Sequence, residues 1–257
     1  MTEWVAFDHR ADFAFGPTTL RTLWPQLHAG DREPFPQEPA LLAGWAAFHE
    51  GAFEQAFQSA LELGEAGWSL AHKAQWVYAT LLEPKEKLRQ KMLLEVVERA
   101  AAHCAQSPQN ANAHYWRASA LARYSQSISV AKALALGLGN KIRTDLETAI
   151  GLDPRHADAH VALGSFHADV IDKVGTLIAR MTYGARKETC LRLFELALQL
   201  TPTSASTLTE YAHALVILEG DARADLATSY YAQAAQAPVL DAQQRLEHDL
   251  VQAERAI

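Results

Sequence analysis

Cysteine is nearly absent from this chain of 257 residues, which has only Cys104 and Cys190. Two thiols are too few for a disulfide framework, so the sequence favours a reducing compartment and predicts both as small buried side chains. No apolar run reaches the length of about 18 residues that a membrane span needs. Residues 1–16 carry acids where a secretory signal needs a basic start and an apolar stretch. We therefore expect a cytoplasmic protein, unless a leader that preceded this sequence has been removed.

Glycine and proline are also few, at 13 and 10 residues, while the hydrophobic fraction is 49%. This balance excludes a disordered or collagen-like chain. Valine and isoleucine are sparse and 48 residues are alanine. This composition favours helix over strand, because alanine loses no side-chain entropy when a helix forms. From Ala40 onward the apolar residues recur at intervals of three and four, without sustained period-two alternation. The sequence predicts an all-α protein.

Positive charge is in deficit, with 23 Lys and Arg against 30 Asp and Glu and a net charge of −7. A sequence-independent nucleic-acid binder needs a dense basic surface, so that class is not expected. The charge is uneven, because residues 132–187 carry +2 and the remainder carries −9. The middle of the chain is either ordinary solvated helix surface or a basic patch that selects an acidic partner. The candidate patch residues are Lys141, Arg143, Arg186 and Lys187.

Three segments of the chain are alike: 107–114, 153–160 and 201–208. Each has a proline at its second position, and a small residue stands ten positions after that proline. Further small residues precede the last two prolines by five positions. The small residues are Ala118, Gly164, Ala212, Ala149 and Ala197. This pattern predicts helix hairpins stacked in series, in which each proline ends one helix and small side chains let paired helices approach closely.

These residues resemble tetratricopeptide repeat (TPR) proteins, most closely in segments 51–56, 153–164 and 194–202. The resemblance covers residues 40–240 and implies a right-handed superhelical array of antiparallel hairpins, an α-solenoid of about 11–12 helices. The three prolines are 46 and 48 residues apart, beyond the usual repeat of about 34. We expect long first helices at 111–136 and 157–181 to absorb the excess. The long repeats are similar to bacterial relatives of the regulator of microtubule dynamics family, some of which accompany substrate-binding transport proteins.

Partners of TPR proteins usually lie along the concave face, which the first helix of each hairpin lines. The resemblance therefore implies a set of inward-facing candidates for partner binding: Asn112, Tyr115, Ser119, Arg123, Asp158, Ser165, Asp169, Ser206, Glu210 and His213. The basic clamp that some family members use for a peptide carboxylate is not matched, because Tyr115 and Ser119 occupy its positions. A chaperone-tail receptor is therefore not expected.

A leader precedes the predicted array and a terminal helix ends it. Residues 1–39 form a leader with a short helix at about 18–28 and a proline-rich connector, and residues 40–257 form the repeat domain. The terminal helix, about 239–256, is acidic and is interpreted as the polar cap that repeat arrays need, with a dimer contact as the alternative.

Three groups of residues match patterns that also occur in catalytic, metal-binding or phosphate-binding sites. His156, His160 and His167 share a helix face and could ligate a metal, but the repeat alignment explains the last two as packing positions, so we predict no metal and no cofactor. Segment 129–132 has the Ser-x-x-Lys spacing without its companion elements. Segment 137–141 lacks the strand and the full motif of a phosphate loop, and a helix end followed by a new helix explains it better. No catalytic residue is assigned.

The leading hypothesis is a non-catalytic scaffold or adaptor that presents its concave face to a protein or peptide partner. One alternative is a small-molecule or lipid binder whose long helices enclose a channel lined by Val161, Val170, Val174, Leu177 and Ile178. The other is a metal-dependent enzyme that uses His156, His160 and Asp169. The oligomeric state stays open.

Overall fold

The computed structural model describes residues 4–255, which form fourteen α-helices and three short 3-10 turns and contain no strand. The prediction of an all-α chain is confirmed. The 3-10 turns are Arg10–Asp12, Gly64–Gly67 and Gly220–Arg223. The helices are α1 Pro17–Leu27, α2 Pro39–His49, α3 Phe53–Glu62, α4 Trp68–Leu81, α5 Glu86–Gln106, α6 Ala111–Gln126, α7 Val130–Ala135, α8 Leu138–Leu152, α9 Ala157–Val174, α10 Thr176–Tyr183, α11 Lys187–Leu200, α12 Ala205–Glu219, α13 Ala224–Ala234 and α14 Ala242–Arg255.

The helices pair as hairpins that stack in chain order into an α-solenoid. The pairs are α2 with α3, α4 with α5, α6 with α8, α9 with α11, and α12 with α13. The first helices of successive hairpins also contact one another, from α2 to α4, α6, α9 and α12. These first helices form one continuous face of the array.

The three similar turns share one capping device. Helices α6, α9 and α12 each begin three residues after the turn proline, and the residue two positions after the proline caps the helix with its side chain. Such a cap satisfies one of the backbone N–H groups that a helix start leaves without an intrahelical acceptor. The bonds are Ala113 N to Asn110 Oδ1 (3.1 Å), Ala159 N to His156 Nδ1 (3.1 Å) and Thr207 N to Ser204 Oγ (3.3 Å).

Two of these turns are also closed by a histidine. His114 Nε2 donates to the Pro108 carbonyl at 3.2 Å, and His160 Nε2 donates to the Pro154 carbonyl at 2.9 Å. The repeated Pro-x-x-Ala-x-Ala-His spacing is therefore a turn-fastening element in both places.

Small residues lie where paired helices approach most closely, as the repeat pattern predicts. A Cβ added at Gly164 would lie 2.8 Å from the ring of Phe194, which is fully buried. We expect Gly164→Leu to lower the free energy of unfolding by about 1 to 3 kcal/mol through overpacking. Gly151→Leu is the matched control, because a Cβ there meets nothing within 4 Å; it should be neutral or stabilise slightly. Urea unfolding measures both, and equal losses would contradict the packing argument.

The two long helices predicted at 111–136 and 157–181 are each broken, which corrects that expectation and raises the number of helices. The first stops at the end of α6, and Ser129 caps α7 by accepting a hydrogen bond from the Lys132 backbone N–H at 3.3 Å. The second stops at Gly175, whose φ of 78° is open to glycine and strained for other residues. The Ser-x-x-Lys pattern at 129–132 is thus explained by Ser129 capping the N-terminus of α7.

The leader packs against the first repeats and joins their core. Phe7, Leu20 and Trp24 are buried in the same cluster as Trp45 and Phe48 of α2. The connector after α1 then crosses the face formed by the first helices, where the Gly30 carbonyl accepts a hydrogen bond from the Asp158 backbone N–H of α9 at 3.2 Å. The connector therefore reaches the fourth hairpin.

The terminal helix α14 contacts α12 and α13, as a cap at the end of the array would. It also returns to the start of the array and contacts α2 and α4, which the interpretation as a cap did not anticipate. The Asp241 carboxylate, just before α14, accepts a hydrogen bond from His49 Nδ1 of α2 at 2.7 Å. Helix α14 is therefore a strap across the face of the first helices.

Candidate functional site

A cavity of about 570 Å³ lies on the face formed by the first helices. Residues of α4, α6, α9 and α12 line it, together with the leader at 25–30 and the strap at 240–247. Its volume lies in the range of about 300 to 1,000 Å³ that is usual for ligand sites. The leader and the strap thus convert the open concave face of a repeat array into a partly walled site.

Eight of the ten residues predicted on the concave face line this cavity. They are Tyr115, Ser119, Arg123, Asp158, Ser165, Asp169, Ser206 and Glu210. The other two lie elsewhere. Asn112 is buried, with its amide donating to Glu33 Oε2 at 2.7 Å and its Oδ1 2.8 Å from His156 Nε2. His213 is exposed and borders no part of the cavity.

Polar side chains on the cavity wall are tied to one another between hairpins. Glu210 of α12 accepts hydrogen bonds from Ser165 of α9 at 2.8 Å and from Arg123 of α6 at 3.3 Å. Gln126 of α6 donates to Asp169 of α9 at 2.8 Å. These bonds fix the relative positions of three successive first helices.

One end of the cavity is polar and is lined by Lys73, Asp158, Asp241 and Glu247. A buried charged network lies under this polar end. Lys73 of α4 borders the cavity and donates to Asp31 of the connector at 2.6 Å. Asp31 also accepts from His28 Nδ1 at 2.9 Å, and His28 Nε2 lies 3.3 Å from His49 Nε2. His49 in turn donates to Asp241. The leader, α2, α4 and the strap therefore meet in one buried network of charged and polar side chains.

Burial sets the protonation of this network. Burial lowers the pKa of His28 to about 4 and lowers the pKa of His49, so both rings are neutral near pH 7. Burial also favours protonation of Asp31, but its contacts with His28 and Lys73 outweigh that effect and hold the pKa of Asp31 well below its usual value. Lys73 is therefore the cation that balances Asp31.

Two further acidic side chains face the cavity, and both have a raised pKa. Burial, reinforced by the charge of Asp31, raises the pKa of Asp158 to about 7, and burial raises the pKa of Glu247 in α14 to about 7. Both side chains keep some accessible surface because they border the cavity. Sequence reasoning placed Asp158 on the concave face but missed Glu247, which comes from the terminal helix.

The other end of the cavity is apolar. Val161, Val170 and Val174 line it, as the channel hypothesis expects, whereas Leu177 and Ile178 do not. Those two side chains are exposed on α10 because the break at Gly175 redirects the helix. Further apolar lining comes from Leu134, Leu138, Ile142 and Phe166.

The histidines of the metal alternative have separate structural roles. His156 caps α9, His160 closes its turn, and His167 Nδ1 accepts a hydrogen bond from the Arg186 backbone N–H at 3.3 Å. Within residues 4–255 no three His, Cys, Asp or Glu side chains converge in a geometry that could hold a metal ion. Gly137, in the phosphate-loop alternative, is left-handed at φ 63° and separates α7 from α8, as the helix-end interpretation predicts.

The four basic-patch residues do not border the cavity. Arg143 donates to the Tyr183 carbonyl at 2.7 Å, and Lys187 pairs with Glu219 at 2.8 Å. Lys141 and Arg186 are exposed. Two of the four patch residues, Arg143 and Lys187, therefore make contacts within the protein. The preference of the patch for an acidic partner stays a prediction.

The geometry defines a class: a TPR-like α-solenoid whose concave face carries a walled cavity. The model of the family described as Regulator of microtubule dynamics protein 1-3 matches residues 49–254, and the chain belongs to this family. The crystal structure of a thermophilic TPR protein from Thermus thermophilus is similar, with a TM-score of 0.57 over 83% of this chain and 97% of that one. At 15% identity this likeness shows the fold alone. The comparison with curated proteins gave no significant match.

The resemblances to TPR proteins and to the regulator of microtubule dynamics family are therefore confirmed. Among residues 4–255, no helix is both long and apolar enough to cross a lipid bilayer.

Proposed function

We propose that this protein is a non-catalytic adaptor that binds a peptide segment of a partner protein in its concave cavity. One observation carries the proposal: the cavity runs along the first helices of three successive hairpins, with polar side chains of α6, α9 and α12 on its wall. A site of this shape suits an extended segment, and TPR-like arrays bind peptides on this face. The histidines of the metal alternative serve instead as a helix cap, a turn closure and a hydrogen-bond acceptor, which favours a structural role for them.

An apolar rim next to the cavity supports a macromolecular partner. Val130 and Leu134 of α7 line the cavity and are also exposed, and Leu177, Ile178 and Met181 are exposed on α10. Clustered exposed apolar side chains beside a cleft are typical of interaction surfaces. A partner that enters the cavity would cover this rim.

The proposal is tested by filling the cavity. Ala162 of α9 lines it, so Ala162→Phe is expected to weaken binding of peptides selected from a displayed random library by about tenfold or more. Ala102→Phe, on the exposed surface of α5, is the matched control and should bind as the wild type does. Fluorescence polarisation with synthetic peptides measures both variants. A library that yields no enriched peptide, or equal binding by Ala162→Phe, would contradict the proposal.

Tyr115 is unsuitable for this test, although it is a predicted contact. It is buried in the core and packs against Trp116 and His156. Its removal would destabilise the fold, so a loss of binding would not report on the cavity.

A second candidate function, binding of a small amphiphile, is favoured by the cavity volume and its apolar end. Native mass spectrometry of the purified protein tests it. A bound small molecule of constant mass would support this candidate, and a ligand-free spectrum without uptake of an apolar dye would remove it.

A further inference from the structure

The charges that border the cavity do not balance. Among residues 4–255, five acidic side chains line it against three basic ones. Lys73 is bound to Asp31, which lies behind the lining, and Arg123 is paired with Glu210. The third cation, Lys173, is exposed at the rim. The polar end of the cavity therefore has more carboxyl groups than its own cations can pair with.

Two of these carboxylates have unused hydrogen-bonding capacity. Within residues 4–255, no side chain or backbone N–H donates to the Asp158 carboxylate in the structure. Glu247 accepts a single bond, from Gln243 of its own helix at 2.8 Å. The two acids come from α9 and α14, and the charge of Glu247 acts on Asp158. Both can accept further bonds from a donor placed in the cavity.

The leader is shaped to accommodate the Asp158 carboxylate. Gly30 lies against it so closely that an added Cβ would be 2.1 Å from Asp158 Oδ1. Any other residue at position 30 would displace the carboxylate or the connector. This close approach, together with the backbone bond between the same two residues, fixes the acid at the cavity wall.

We propose that the cavity accepts a basic side chain of the bound peptide, with its ammonium or guanidinium group between Asp158 and Glu247. An adjacent apolar side chain of the peptide would occupy the end lined by Leu134, Ile142, Phe166 and Val170. This inference rests on the proposed function and names the chemistry of the segment that binds. Asp158 and Glu247 are half-buried and neither forms an ion pair in the part of the chain that the structure describes, so they are suited to a charge-assisted hydrogen bond from such a donor.

The protonation of the two acids gives the proposal a pH dependence. Asp158 is faced by Asp31 of the connector, Lys73 of α4 and Glu247, and Glu247 is faced by Asp241, Lys73 and Arg123. Burial raises both pKa values to about 7, so the two acids take up protons as the pH falls through neutrality. A bound cation would replace those protons, so affinity should rise with pH as the acids ionise.

The closing experiment uses the full-length protein and a displayed random heptapeptide library, selected on the wild type at about pH 7.5. We expect enriched peptides to share a Lys or Arg at one position. Replacement of that residue by norleucine should weaken the synthetic peptide about tenfold. Asp158→Asn with Glu247→Gln should weaken the parent peptide similarly, and combining both changes should add little.

Controls separate this inference from the proposed function. Asp249→Asn, an exposed acid on α14 that pairs with Arg245, should leave affinity unchanged. Enriched peptides without a basic residue, or a norleucine peptide of equal affinity, would overturn the inference and leave the adaptor function standing. A library without enrichment would overturn both.

Two further arms test the occupant and the acids. Affinity of the parent peptide should increase several-fold from about pH 6 to about pH 8 in the wild type and stay flat in the double variant. A flat wild-type profile would overturn the role of the two acids. Hexylamine that displaces the peptide with equal affinity would overturn the assignment to a peptide and point to a small cation.

Discussion

Lys73→Met is expected to lower the free energy of unfolding by about 3 to 5 kcal/mol near pH 7.5, because it removes the cation from a buried ion pair. The Lys73 side chain is 6% exposed and its ammonium lies 2.6 Å from Asp31. Its charge also favours the ionised forms of Glu33, Asp158 and Glu247. Methionine keeps the approximate shape but leaves Asp31 as an uncompensated buried charge.

The loss should shrink as the pH falls towards about 5.5. Burial raises the pKa of Glu33, Asp158 and Glu247 to about 7 each, so at lower pH these acids are protonated and no longer need a nearby cation. Asp31 stays ionised, because its folded-state pKa is depressed and its contribution is lost only well below that range. Lys73 has a raised pKa, so its contribution is present throughout and lost only above its ordinary range.

Urea unfolding of wild type and variant at the two pH values measures this effect. Lys187→Met is the matched control, since Lys187 pairs with Glu219 at 2.8 Å but its side chain is 40% exposed. A surface pair of this kind contributes about 0 to 1 kcal/mol. Equal losses in the two variants, or a loss for Lys73→Met that grows in acid, would contradict the role assigned to the buried cation.

The repeats were predictable because their signals are local. A turn proline, a capping side chain two residues later and a small residue on the next helix recur within about ten to fifteen positions, and each acts on neighbouring backbone or the adjacent helix. Ala118, Gly164 and Ala212 are buried where the pattern placed them. The breaks at Ser127–Ser129 and Gly175 also had local signals, since Ser and Gly disfavour a continuing helix, but the repeat spacing suggested longer helices.

The charged end of the cavity was not predictable in the same way. It is assembled from Asp31 in the connector, Lys73 in α4, Asp158 in α9 and Glu247 in the strap, which are far apart in sequence. His49 and Asp241, which tie the strap to the first repeat, are 192 residues apart. A single sequence shows that these residues are polar but carries no local pattern that pairs them. The acidic character of the terminal helix suggested solvent exposure, whereas Glu247 borders the cavity.

Asp241→Ala is expected to cost about 2 to 4 kcal/mol and to release the strap from the first repeat. Asp241 is 3% exposed and has two roles. Its carboxylate accepts from the backbone N–H of Gln244 in the first turn of α14 at 2.9 Å, as a helix cap does, and from His49 Nδ1 at 2.7 Å. Alanine would remove the cap and leave a fully buried imidazole N–H without an acceptor.

The loss should appear locally as well as globally, because α14 is held to α2 and α4 through this contact. Hydrogen exchange of the α14 backbone amides should therefore accelerate more than that of α6 or α9. Asp249→Ala is the matched control: Asp249 lies on the same helix and pairs with Arg245 at 2.9 Å, but its side chain is 45% exposed, so the cost should be about 0 to 1 kcal/mol. Unchanged exchange of α14 in Asp241→Ala would show that packing against α12 and α13 alone holds the strap, and would contradict the role assigned to the His49 contact.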